Sequence, residues 1–113
     1  MALRPVTHEL ILEMMQAIVQ EARPDRIILF GSQAGERIRP DSDVDLIVIE
    51  STPFRLRGER REATSRIRQA IGRFRVPTDI LVYSAEEAAK WQYSVNHVLG
   101  RALREGKVLY ARC

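Results

Sequence analysis

The sequence predicts an α/β (α+β) fold, a small mixed, largely antiparallel sheet backed by helices. Apolar residues recur at helical spacing in some stretches and as short dense runs in others, so helices and strands alternate along the chain. The connection from Gly31 to Asp43 is also too short to hold a crossover helix. The first two strands are therefore expected to be antiparallel, which argues against a dinucleotide-binding fold.

Thr7 can cap a first helix in which Leu10, Ile11, Met14, Met15 and Ile18 share one face, ending before Pro24. Ile27-Ile28-Leu29-Phe30 reads as a strand, followed by Gly31 to Gly35 as a turn or short helical segment, with a further turn at Pro40-Asp41-Ser42. In the strand Asp43 to Ile49, Val44, Leu46 and Val48 fill one face, while Ile47 and Ile49 make the other face apolar beyond the acids. That strand needs cover on both sides. Thr52-Pro53 could open a helix interrupted by Gly58, or belong to a loop. Ala63, Ile67, Ala70, Ile71 and Phe74 mark the inner face of a helix with an arginine-rich outer face, and Val76-Pro77 leads into a third strand, Ile80-Leu81-Val82-Tyr83. Ser84 and Glu87 have capping-box spacing for a helix reaching about Tyr93. A last helix is expected from about Val95 to Glu105, stopped by Gly106, with Val108-Leu109-Tyr110 as an edge strand or docking tail.

Residues 1–113, 45% hydrophobic, are enough for one domain with a single core. The one cysteine, Cys113, permits no intrachain disulfide and fits a reducing, cytoplasmic setting. No apolar run is long enough to span a membrane, and the first residues lack the apolar core of an export signal. A net charge of +3 permits an acidic ligand without demanding a nucleic acid.

Chemistry concentrates at the strand mouths. Asp43 and Asp45 alternate to one face with Cα atoms roughly 6.5–7 Å apart, within reach of a shared ion. Two such carboxylates repel each other unless a cation lies between them. Asp79 opens the third strand and adds a third acid. Gly31 and Ser32 close the first strand, where a missing Cβ admits a phosphate and the serine offers a hydroxyl and an amide. Together these are the parts of metal-assisted nucleotidyl transfer, with two Mg²⁺ ions expected, the second bridged by Asp79, and a triphosphate as ligand.

The run Ile28-Leu29-Phe30-Gly31-Ser32-Gln33-Ala34, continued by Arg39-Pro40-Asp41-Ser42-Asp43-Val44-Asp45-Leu46, resembles the signature of the minimal nucleotidyltransferases of the DNA polymerase beta-like superfamily. Pro77-Thr78-Asp79-Ile80-Leu81-Val82 is similar to the family's third-acid strand, and Ala102 to Tyr110 resembles its carboxyl terminus. The resemblance implies a polymerase-beta-like fold in which Gly31 and Ser32 bind the nucleotide and Asp43, Asp45 and Asp79 hold the metals. It implies an antitoxin that moves AMP from ATP to a tyrosine of a partner HEPN toxin. Where the family usually has Arg-Gly after the alanine, this chain has Gly35-Glu36, so a triphosphate-neutralising cation would be displaced or come from Arg37 or Arg39.

Two rival readings follow from the same residues. One is an antitoxin that neutralises its partner by binding alone. The other is an RNA-binding module using the arginines at 55, 57, 60, 61, 66, 68, 73 and 75, although Glu59 and Glu62 partly offset them and no aromatic interleaves with them in the way a stacking platform for single strands needs. A solvated helix face explains these arginines with fewer assumptions, and nucleic acid is not expected as a partner. His8 and His97 have no metal-ligand spacing. Trp91 and Tyr93 read as packing residues of the core or of a subunit contact, so a homo-oligomer is compatible with the sequence. Tyr83 shares the Asp79 face and reads as a packing residue that could also line the pocket.

Overall fold

The structure, a computed structural model, describes residues 4–112. Cys113 and the first three residues, on which the compartment and export expectations partly rest, lie outside them. The first helix, α1 (His8–Ala22), starts where Thr7 Oγ1 accepts a hydrogen bond from the Leu10 amide at 3.1 Å. It buries Leu10, Ile11, Met14, Ala17 and Ile18, four of which the helical spacing had singled out. Strand β1 (Arg26–Phe30) runs into a short 3₁₀ turn, Gly31–Ala34, before β2 (Val44–Glu50). Asp43 sits one residue outside β2, at its mouth. Residues 51–58 form a loop, so the alternative of a helix at Thr52-Pro53 is not realised. The carboxylate of Glu59 accepts from the amides of Arg55 and Leu56 and fixes the end of that loop.

Helix α2 (Glu59–Ile71) crosses over from β2 to β3 (Thr78–Ser84), and a 3₁₀ turn at Gly72–Phe74 buries Phe74. The capping box is present: Ser84 Oγ accepts from the Glu87 amide at 3.1 Å, and Glu87 accepts from the Ser84 amide at 2.9 Å. It starts α3 (Ala85–Trp91). Helix α4 (Val98–Glu105) begins three residues later than the expected Val95. The reason is local: His97 keeps an extended backbone and its Nδ1 accepts from the Leu99 amide at 3.1 Å, making it the cap rather than a helical residue. The chain then enters β4 (Lys107–Ala111), which pairs with β1 and is therefore an edge strand, not a docking tail.

The sheet order is β3-β2-β1-β4. β1 is antiparallel to both β2 and β4, and β2 is parallel to β3, so the sheet is mixed and largely antiparallel as the short Gly31–Asp43 connection predicts. Helices cover both faces. Val44, Leu46 and Val48 pack with Ile27 and Leu29 beneath residues of α1 and α2. Ile47 and Ile49 pack with Ile28, Leu99 and Ala102 on the other side, toward α3 and α4. Each such aliphatic side chain, fully withdrawn from water, contributes about 1.5–3 kcal/mol. This double cover holds β2, and with it the acid that β2 carries, as a rigid support.

Trp91 packs partly buried against the α3–α4 cluster, with its ring stacked on His97 at 4.6 Å between centroids. Of the two packing roles expected for Tyr93, the core is not realised: it lies in the turn after α3 and is 84% exposed. Tyr83 packs in the same cluster as Trp91, beside His97 and beneath the Arg60 guanidinium. That guanidinium also donates to the Val82 carbonyl at 2.6 Å and pairs with Glu87, tying α2 to β3 and α3. Among the described residues no helix is long and apolar enough to cross a membrane.

Candidate active site

Strand register assembles the candidate acids. Phe30 lies opposite Asp45 on β2, and Asp45 lies opposite Asp79 on β3, so the end of β1 and the starts of β2 and β3 meet at one edge. A hydrogen bond from the Val44 amide to the Pro77 carbonyl, 3.0 Å, secures that meeting point. The Asp45 and Asp79 side chains lie within interaction range of each other at this edge, so their charges repel unless a cation or a proton lies between them. Burial pushes the Asp45 carboxyl above its ordinary range, and the neighbouring charges of Asp79 and Asp43 push it further in the same direction, Asp43 least. Asp43 and Asp79 are exposed, whereas Asp45 is only partly so.

Among the described residues no three acidic, histidine or cysteine side chains already converge into a cage for an ion. The structure thus joins Asp45 to Asp79 and keeps Asp43 at the mouth beside them. This donor set fits a divalent cation of the Mg²⁺ type: carboxylate oxygens are hard ligands, and a few of them suffice because Mg²⁺ keeps several waters.

Gly31 meets two requirements at once. Its φ is 73°, in the left-handed region, and a Cβ built on it would collide with Asp45 Oδ2. The bare backbone therefore lies directly against the carboxylate, as a phosphate site beside a metal site needs. Gly31→Ala is expected to cost about 2 kcal/mol or more, from backbone strain of roughly 1–2 kcal/mol and displacement of the Asp45 carboxylate. Denaturant unfolding measures the loss; an unchanged midpoint would contradict this account of the turn. Ser32 is exposed next to Gly31 with its hydroxyl open to solvent.

Gln33 is the residue that sequence reasoning treated only as part of a turn. It is completely buried, and its amide holds the loop that delivers Asp43: Nε2 donates to the carbonyls of Arg39 at 2.6 Å and Ser42 at 2.9 Å, while Oε1 accepts from the Arg39 amide at 2.7 Å. No periodicity marks such a residue. The only signal was a long amide side chain amid small turn residues.

Two concavities bear on ligand binding. The larger, about 1050 Å³, runs along the outer face of α2 and is lined by Arg57, Arg60, Arg61 and Arg68, with none of the three acids in its wall. The smaller, about 540 Å³, adjoins Gly31 and lies between the 3₁₀ turn and α4. None of the three acids lines this cavity either, but Gly31, which packs against Asp45, is part of its wall, and its size is within the range of small-molecule sites.

This arrangement defines a class, an α/β domain with carboxylates and a glycine turn at adjoining strand mouths. The sequence pattern of the family described as the Nucleotidyltransferase domain matches residues 10–105. The chain belongs to this family and is a nucleotidyltransferase. No curated protein sequence matches the chain. Among solved structures it is similar to a protein from Sulfolobus solfataricus described as a nucleotidyltransferase, with 15% identity, a TM-score of 0.57, and coverage of 92% of this chain and 79% of that one. That likeness shows a shared fold. A chain of the mutant toxin–antitoxin MntA-HpeT is 17% identical with a TM-score of 0.45, covering 95% of this chain and 75% of that one.

Proposed function

We propose that this nucleotidyltransferase is an antitoxin that transfers AMP from ATP to a tyrosine hydroxyl of a partner HEPN toxin and releases pyrophosphate. The observation that carries the reading is the Asp45–Asp79 pair with the exposed Gly31 backbone packed directly against the Asp45 carboxylate. The motif resemblance at residues 28–46 and 77–82 supports the choice of acceptor and partner. Asp43, Asp45 and Asp79 would hold Mg²⁺, and Gly31 and Ser32 would receive the phosphates. When bound, Mg²⁺ supplies Lewis-acid stabilisation of the triphosphate and eases deprotonation of the attacking hydroxyl.

The chain's own groups do the rest. Gly31 leaves its backbone open to phosphate oxygens, and the Ser32 amide and hydroxyl offer donors to them. Asp79, exposed at the mouth of β3, accepts the proton of the incoming hydroxyl. The hydroxyl oxygen forms a bond to the α-phosphorus, the bond from that phosphorus to the bridging oxygen breaks, and pyrophosphate leaves with the electron pair. Apolar cover on both faces of β2 fixes Asp45 beside this line.

Incubation with α-labelled ATP, Mg²⁺ and the product of the adjacent gene is expected to label that product, and Asp43→Asn or Asp79→Asn is expected to abolish the label. Full labelling by both variants would eliminate the mechanism. Copurification of the two proteins with no label in the wild type would instead favour neutralisation by binding alone.

A further inference from the structure

We infer that Arg101 of α4 is the cation that receives the triphosphate in the cavity beside Gly31, an inference that rests on the nucleotidyl-transfer reading of that site. The cavity of about 540 Å³ has a floor and one wall formed by Phe30, Gly31 and Gly35, with Asn96, Arg101 and Gly106 opposite. The glycine-rich wall offers backbone but no charge. Arg37 and Arg39, the candidates suggested by sequence, do not line it. Arg101 therefore supplies the positive charge among the residues that do, with Glu105 lining the same wall as its counter-charge. Lys107 stands at the rim, its Nζ donating to the Gly35 carbonyl at 2.9 Å, which anchors the glycine wall to β4.

The backbone of α4 is held in place on either side of Arg101. A Cβ on Gly100 would run into the carbonyls of Trp91 and Ser94, and one on Gly106 would run into Ile28 and the Leu29 carbonyl of β1. Contacts this close fix the distance from Arg101 to the Gly31 turn. The guanidinium itself is free to turn. Among the described residues its acidic partner is Glu105, one helical turn on, at 3.7 Å, and both side chains are about two-thirds exposed. Such a pair is weak in water, so a triphosphate with several charges displaces Glu105 readily. Glu105 thus competes weakly with phosphate for Arg101 without holding it in place.

The test is binding of Mg-ATP, Mg-ADP and AMP by calorimetry. Wild-type protein is expected to bind Mg-ATP more tightly than AMP. Arg101→Ala is expected to weaken Mg-ATP roughly 10-fold or more with little change for AMP, Arg101→Lys to recover part of the loss, and Glu105→Gln to tighten Mg-ATP a few-fold. Equal weakening of ATP and AMP, or unchanged ATP binding in both Arg101→Ala and Glu105→Gln, would overturn the assignment while leaving the transfer reading intact. Failure of the wild type to bind any of the three nucleotides would instead overturn both.

Discussion

Asp45→Asn is expected to lower nucleotidyl transfer by about 1,000-fold or more, the equivalent of roughly 4 kcal/mol of barrier, while leaving the metal-free protein as stable as the wild type or more so. The two effects have one cause. Burial first, then Asp79 and Asp43, raise the Asp45 pKa above its ordinary 3.8. Between its unfolded and folded pKa values the native state holds a proton that the unfolded chain has released. Stability contributed by this group therefore falls as pH rises through that window. Asparagine cannot ionise, and its amide can still donate to Asp79, so the variant escapes the fall. Thermal unfolding in chelator from acidic to neutral pH should show a shallower decline for the variant, and the labelling assay should show the lost transfer. A variant that transfers AMP at the wild-type rate would remove Asp45 from the mechanism.

Gln33→Leu is expected to be among the most damaging substitutions for stability, at about 3 kcal/mol. Leucine has nearly the same reach but cannot bond, so the Arg39 amide and the carbonyls of Arg39 and Ser42 each lose a buried partner. An unmade bond of this kind costs roughly 1 kcal/mol or more. In a domain of this size the sum lowers the melting temperature by roughly 10 °C. Transfer should fall as well, even at temperatures where the variant is folded, because the loop ending at Asp43 is no longer tied to the Gly31 turn. A melting temperature within a degree or two of wild type would show that water replaces the amide and that the clamp is not needed.

Much of this architecture was legible because its causes are local or periodic. The double apolar character of β2 told that helices lie on both faces, and the alternation of Val44, Leu46 and Val48 against Ile47 and Ile49 told which residues face which layer. Thr7 and the Ser84–Glu87 pair announced helix starts because capping is a short-range bond. The start of α4 was misjudged, since a histidine cap bonds through a ring nitrogen and leaves no common sequence signature. Tyr93 read by type as a residue of the core or of a subunit contact, and a turn between two short helices carries it outward, away from the core. Within the candidate site, strand mouths and acid spacing could be read from residues 28–46 and 77–82. Pairing of Asp45 with Asp79 depends on parallel register between β2 and β3, and the Gln33 clamp and the α4 wall depend on tertiary approach. Neither register nor approach is written in a single segment.

The most direct measurement is anomalous diffraction from crystals of the wild-type protein grown with Mn²⁺ and a non-hydrolysable ATP analogue. The account predicts at least one anomalous peak within bonding distance of both Asp45 and Asp79 carboxylates, with triphosphate oxygens beside Gly31. An analogue bound with Mn²⁺ elsewhere, or no anomalous peak beside the Asp45–Asp79 pair, would contradict the account.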